Sequence, residues 1–135
     1  MQNNSYSSVS QPDFGTKRIL AIDDVPDVLS TIKAVLQDSY TVFGVTNGMS
    51  AMKFLANNTA DLILLDIEMP DMDGFTLLRI IRQMENYKKT PVVFLTGNAS
   101  VEYIRTAIEN GGNDFVKKPF EVHVLKEKIR KLIGG

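Results

Sequence analysis

From Lys17 onward, short apolar runs alternate with longer segments of helical period, and the alternation repeats five times. The runs cover residues 18–22, 41–45, 62–65, 92–95 and 114–117. The third and fourth are apolar throughout, the pattern of strands buried on both faces. The fifth is weaker in composition and reads as a strand from its position. Between the runs lie stripes at helical spacing. Val28, Ile32, Val35 and Leu36 follow Pro26, which suits a first helical turn. Met52, Leu55 and Ala56 form a shorter stripe, and Phe75, Leu78, Ile81 and Met84 follow Gly74. Val101, Ile104 and Ile108 follow Ser100 and stop at Gly111-Gly112, while Leu125, Ile129, Leu132 and Ile133 form the fifth stripe. Each stripe is expected to face a sheet.

Five β-α units with buried strands imply a parallel sheet covered by helices on both faces and joined by right-handed crossovers. The common strand order for such a sheet is 2-1-3-4-5, with a reversal of direction between strands 1 and 3. Ligands bind beyond the carboxyl ends of the strands at that reversal. The chain has 135 residues, the size of one domain. Residues 1–15 are polar, with Pro12 and Gly15 as breakers, and read as a flexible leader to a domain over 16–135.

Composition removes several chemistries. There is no cysteine, which excludes disulfides, thiolate metal sites and cysteine nucleophiles. A single histidine, His123, leaves little for a histidine metal site, and a solvated or capping role suits it better than chemistry. A net charge of −1 steers the molecule toward neither nucleic acid nor an anionic membrane. The N-terminus lacks the pattern of a secretory signal, and no apolar stretch approaches the roughly 20 residues of a membrane span. The cytoplasm is the expected compartment.

At the carboxyl edge, strand 1 ends in Asp23-Asp24, strand 3 in Asp66, strand 4 in Thr96 and strand 5 in Lys118. Three carboxylates in one crevice repel one another, and a hard divalent cation relieves them. All-oxygen ligation favours Mg²⁺, with Mn²⁺ as a substitute. Asp24 and Asp66 are the expected direct ligands, with Asp23 acting through water and the backbone carbonyl of Glu68 adding an oxygen. Phosphoryl transfer needs an in-line nucleophile and neutralisation of the phosphoryl oxygens. Asp66 supplies the nucleophile, and Lys118 and the Thr96 hydroxyl partner the oxygens. Each residue also has an ordinary reading. Asp23 and Asp24 cap a helix near Pro26; Thr96 ends a strand or caps the next helix; Lys118 is a surface lysine, as its neighbour Lys117 is expected to be. Asp71 and Asp73 read as turn residues around Gly74.

These pieces resemble the response-regulator receiver domains of two-component signalling over about residues 17–133. The resemblance rests on Asp23-Asp24, the stretch Asp66-Ile67-Glu68-Met69-Pro70-Asp71-Met72-Asp73-Gly74, the Thr96-Gly97 step, and the stretch from Gly111 to Phe120 that contains Lys118-Pro119. It implies a flavodoxin-like three-layer sandwich with five helices. It further implies a switch that catalyses only its own aspartyl phosphorylation and dephosphorylation, taking phosphate onto Asp66 from a sensor histidine kinase or a histidine phosphotransfer protein. On phosphorylation Thr96 moves toward the phosphoryl group and an aromatic residue on strand 5 turns inward; Phe115 occupies that position, with core packing as its plainer role. Glu68 and Asn98 sit where the family tunes rates, and the Lys118-Pro119 peptide is expected to be cis. The face of the fourth helix, fifth strand and fifth helix is expected to meet a downstream effector, or a second copy on phosphorylation. No effector segment follows residue 133, so the chain reads as a stand-alone receiver or as a fragment of a longer regulator. Two alternatives remain: a pseudo-receiver that binds protein without phosphate, and an aspartyl-phosphate hydrolase of the haloacid dehalogenase type.

Overall fold

The computed structural model describes residues 16–70 and 72–135. The expected leader over residues 1–15 and the turn role of Asp71 lie outside the described residues. Strand and helix alternate as β1 (Lys17–Ile22), α1 (Pro26–Leu36), β2 (Tyr40–Val45), α2 (Gly48–Asn57), β3 (Leu62–Asp66), α3 (Gly74–Gln83), a 3-10 turn (Glu85–Tyr87), β4 (Val92–Thr96), α4 (Val101–Glu109), β5 (Asp114–Lys117) and α5 (Val122–Ile133). The strands form one parallel sheet in the order β2-β1-β3-β4-β5, the expected 2-1-3-4-5. The fold is the flavodoxin-like sandwich.

Alternation along the strands explains the three layers, because successive side chains leave opposite faces of a strand. Leu20, Ile22, Ile63, Leu65 and Phe94 pack with Ala51, Leu55, Leu77, Leu78 and Ala107 from α2, α3 and α4. Ile19, Ala21, Leu62, Leu64, Val93 and Leu95 pack with Ile32, Leu36, Leu125 and Ile129 from α1 and α5. Each position of β3 and β4 is buried, which is why those runs are apolar throughout. β5 is an edge strand with mixed exposure, which accounts for its weak signal.

Two details of the helices differ from expectation. Met84 packs on the same core as Phe75, Leu78 and Ile81, but it does so as the extended C-cap of α3 and leads into the 3-10 turn. That turn, absent from the sequence reading, buries Tyr87, whose hydroxyl lies 2.9 Å from the Leu55 carbonyl and 2.6 Å from that of Asn58. In α4, Val101 is 71% exposed and Ile108 43% exposed, so of that stripe Ile104 alone packs on the core. The inward face is set by Ala107, with Tyr103 and Ile104 packed beside it, and Val101 and Ile108 fall on the far side of Ile104.

The far end of α4 is pinned by arginines from α3. Arg82 donates to the carbonyls of Gly111, Tyr87 and Thr90 and to Asn113 Oδ1, and Arg79 donates to Asn110 Oδ1. Gly111 takes φ +112 there, a conformation that side chains rarely adopt.

Candidate functional site

The site grows from the ends of four neighbouring strands, β1, β3, β4 and β5. β1 delivers Asp23, fully buried, whose amide donates to Val45 O at 3.1 Å and whose Oδ1 accepts from Val25 N at 2.9 Å. The N-cap of α1 is Val25, which makes no side-chain cap; Asp24 therefore does not cap the helix. β3 ends at Asp66, which is 1% exposed and whose Oδ1 accepts from Glu68 N at 2.9 Å. Asp23, Asp24 and Asp66 each offer a carboxylate oxygen, and these oxygens lie within 4.8 Å of one another.

Gly74 explains why the loop after Asp66 closes so tightly. Its amide donates to Ile67 O at 3.1 Å, and a Cβ there would come 2.5 Å from the Ile67 Cα. Asp73 caps α3 through Phe75 N, so it is a helix cap as well as a turn residue, and it stands apart from the acidic trio.

Lys118 reaches into the cluster from the end of β5. Its ammonium lies 2.8 Å from Asp23 Oδ2 and 3.3 Å from Asp66 Oδ2. The contact with Asp23 is an ion pair, and Asp23 Oδ2 is a buried carboxylate oxygen with no further partner among the described residues. The Lys118-Pro119 peptide is cis, as the resemblance implies, and Lys117 is exposed.

The electrostatics follow from this crowding. Burial pushes the Asp66 carboxyl up, the Glu68 amide opposes it, and neighbouring Asp23 raises it further; the net result is a pKa of about 6. Burial pulls the Lys118 ammonium down, but pairing with Asp23 and Asp66 outweighs it and holds the group above its ordinary value. An all-oxygen acidic set with a raised carboxyl and an under-coordinated buried oxygen fits a hard divalent cation.

Thr96, fully buried at the end of β4, turns its hydroxyl to the next loop. It donates to Asn98 O at 3.1 Å and accepts from Asn98 N at 2.9 Å. Asn98 in turn accepts from Ser100 N, and Ser100 caps α4. Phe115 is half-buried on β5 and stacks on Phe94 with ring centroids 6.2 Å apart. His123 is exposed in the first turn of α5.

Three contacts go beyond the sequence reading. Glu68, expected to hang over the site entrance, accepts from Gly97 N at 3.0 Å, a partner that was not foreseen. Tyr103 packs on Phe75 with ring centroids 5.2 Å apart, its phenol held above the ordinary range by burial and then by Glu68, Asp73 and Asp66. Lys128 sits over the Phe115 ring. The capping position Ser100 was the available signal for Tyr103, three residues on; the other two contacts join distant segments and leave no local pattern.

Residues 19–130 match the family described as the response regulator receiver domain. Among curated proteins, the chain is 37% identical over 121 residues to the chemotaxis protein CheY of Pseudomonas aeruginosa, covering 85% of this chain and 94% of that protein. It is 32% identical over 126 residues to a probable cyclic di-GMP phosphodiesterase of Vibrio cholerae, covering 93% of this chain but only 29% of that protein. Among solved structures, it superposes with a TM-score of 0.80 and 31% identity on the receiver domain of sensor histidine kinase PA1611 from Pseudomonas aeruginosa, covering 89% and 99% of the two chains. That structure has a magnesium ion coordinated in its active site cleft.

Proposed function

The chain belongs to the response regulator receiver family, and on that premise we propose that Asp66 accepts a phosphoryl group from a histidine kinase or histidine phosphotransfer protein. Receiver domains are signalling switches, and this one is read as catalysing only its own aspartyl phosphorylation and dephosphorylation. The observation that carries the reading is the convergence on one buried strand end of Asp66, the Lys118 ammonium at 3.3 Å and the neighbouring carboxylates of Asp23 and Asp24.

One oxygen of the ionised Asp66 forms a bond to phosphorus as the bond from phosphorus to the imidazole nitrogen of the donor breaks. The departing imidazole takes a proton from solvent. An ionised carboxylate needs no general base, so the task of the surrounding residues is charge neutralisation and alignment. Lys118, already against Asp66, pairs with one phosphoryl oxygen. The Thr96 hydroxyl leaves Asn98 to donate to another, and Phe115 turns into the space behind it. Asp24 and Asp66 would hold Mg²⁺ (or Mn²⁺), with Asp23 assisting and the Glu68 carbonyl contributing an oxygen. Such a cation supplies neutralisation of charge developing on the phosphoryl group. The magnesium in the cleft of the PA1611 receiver supports this part of the reading.

The altered surface of α4, β5 and α5 then meets an effector protein or a second copy of the chain; direct contact with nucleic acid is not expected. Exposed Val101 and Ile108 on α4 favour a protein contact on this face. No helix among the described residues is long and apolar enough to cross a membrane; the cytoplasm is the proposed compartment.

Incubation with Mg²⁺ and acetyl phosphate tests the proposal. Uptake of one phosphoryl group, lost in Asp66→Asn, supports the receiver. No uptake favours a phosphate-independent binding module, and steady turnover of many phosphoesters favours a hydrolase.

A further inference from the structure

Phe115 differs from a tyrosine in one physical respect that matters at a mobile position: it has no hydroxyl with which to fasten itself to the surroundings. Its place must be set by what packs on its ring. One contact is the stack on Phe94, a residue of the buried core. The other comes from α5, where Lys128 Nζ lies 4.5 Å from the centre of the Phe115 ring.

That ammonium is committed three ways. It donates to Phe115 O at 2.7 Å and to Asp114 Oδ1 at 3.0 Å, and it faces the aromatic ring. An ammonium has three N–H bonds, and this arrangement gives each a partner. Asp114 Oδ1 also accepts from Phe115 N at 2.8 Å, so cation and carboxylate together bracket the backbone of the residue whose ring the cation covers. The Lys128 side chain is 25% exposed and that of Asp114 37%, so the ion pair is partly screened, and the contacts with the Phe115 ring and carbonyl are the more sheltered ones. Its helix is fixed to the sheet by Leu125 and Ile129 on either side, both fully buried.

We propose that Lys128 is the positioning residue that holds Phe115 in its resting place, and that it thereby couples the phosphorylation site to the outer surface of α5. The proposal rests on the reading of Phe115 as the ring that turns. Turning the ring inward withdraws its face from the ammonium, so each activation event gives up this contact. By reciprocity, whatever draws Lys128 away from the ring from outside favours the activated arrangement by the same factor. The groove beside it, lined by Asp114, His123, Val124, Glu127 and Lys131, gives an effector access to that cation.

The test compares Lys128→Met, which keeps the apolar stem, with Lys128→Arg, which keeps a cation for the ring, and with Asp114→Asn, which removes the carboxylate alone. Two quantities are read: the affinity for beryllofluoride with Mg²⁺, and the aromatic NMR resonances of Phe115 and Phe94. Lys128→Met is expected to shift the Phe115 resonances and tighten beryllofluoride binding by about two- to five-fold. Lys128→Arg is expected to restore both toward wild type, and Asp114→Asn to move them less than Lys128→Met. Unchanged resonances and affinity in Lys128→Met overturn the proposal, and so does an Asp114→Asn variant that reproduces the full effect. If the wild-type chain binds no beryllofluoride, the receiver reading is what fails, and so does the proposed coupling. The ring resonances then decide alone whether Lys128 holds Phe115.

Discussion

Lys118 Nζ stands 3.3 Å from Asp66 Oδ2, so the proposed acceptor and its counter-ion are in contact before any phosphate arrives. The same ammonium serves the buried Asp23 at 2.8 Å. Replacing Lys118 by Met therefore strands two buried carboxylates. The variant is expected to lose on the order of 2–3 kcal/mol of stability at pH 7.5 without metal. Millimolar Mg²⁺ is expected to recover part of the loss. Chemical denaturation with and without Mg²⁺ measures both, and an unchanged midpoint would show that the ammonium matters little to these acids.

Asp66 should make the metal-free protein less stable as pH rises. Its folded pKa is about 6, against roughly 3.9 for an unfolded aspartate. Between those values the folded state holds a proton that the unfolded chain has released. The stabilisation is fully present below about pH 4 and is lost as pH climbs through about 6. Asp66→Asn, which cannot ionise, is then expected to be more stable than wild type at pH 7.5 by on the order of 2 kcal/mol. That gain is expected to vanish near pH 4. Thermal melts across this range test the sign, and a variant less stable at pH 7.5 refutes it.

A divalent cation should act on the same three acids. Mg²⁺ is expected to raise the melting temperature of the wild-type chain saturably, because ligand that binds only the folded state stabilises it. Asp24→Asn and Asp66→Asn are each expected to abolish most of that rise. Calorimetric titration provides the check; equal Mg²⁺ affinity in wild type and both variants would place the ion elsewhere.

Glu68 holds the Gly97 amide at 3.0 Å and sets a negative charge beside the path of an incoming anion. Glu68→Gln keeps an acceptor for that amide and removes the charge. It is expected to speed phosphorylation by acetyl phosphate by roughly three-fold, the size of one screened charge at close range. Initial rates at fixed Mg²⁺ give the answer, and a slower variant would mean that the carboxylate assists the reaction instead.

The sheet was legible because β3 and β4 are buried on both faces and carry uninterrupted apolar runs. Even the weak fifth run was placed correctly, since a strand must close the last β-α unit. The meeting of Asp23, Asp24, Asp66 and Lys118 was legible for a topological reason: parallel strands end on one edge, so strand-terminal polar residues gather there, as Thr96 does at the end of β4. The orientation of α4 was not legible. Val101 and Ile108 are apolar but face outward, and apolar spacing alone cannot tell a core face from an exposed one. The contacts of Glu68 with Gly97, of Lys128 with Phe115, and of Arg82 with the carbonyls of Gly111, Tyr87 and Thr90 join segments distant in sequence or bend back on the chain. Such contacts depend on how the layers settle and leave no periodic trace.

The most direct measurement traps the phosphate where it lands. The chain is incubated with Mg²⁺ and acetyl phosphate, reduced with borohydride to convert an aspartyl phosphate to homoserine, and mapped by peptide mass spectrometry. The account predicts homoserine at position 66 in the wild-type chain and none in the Asp66→Asn variant. Modification confined to another residue, or no modification at all under conditions that phosphorylate a CheY control, would contradict it.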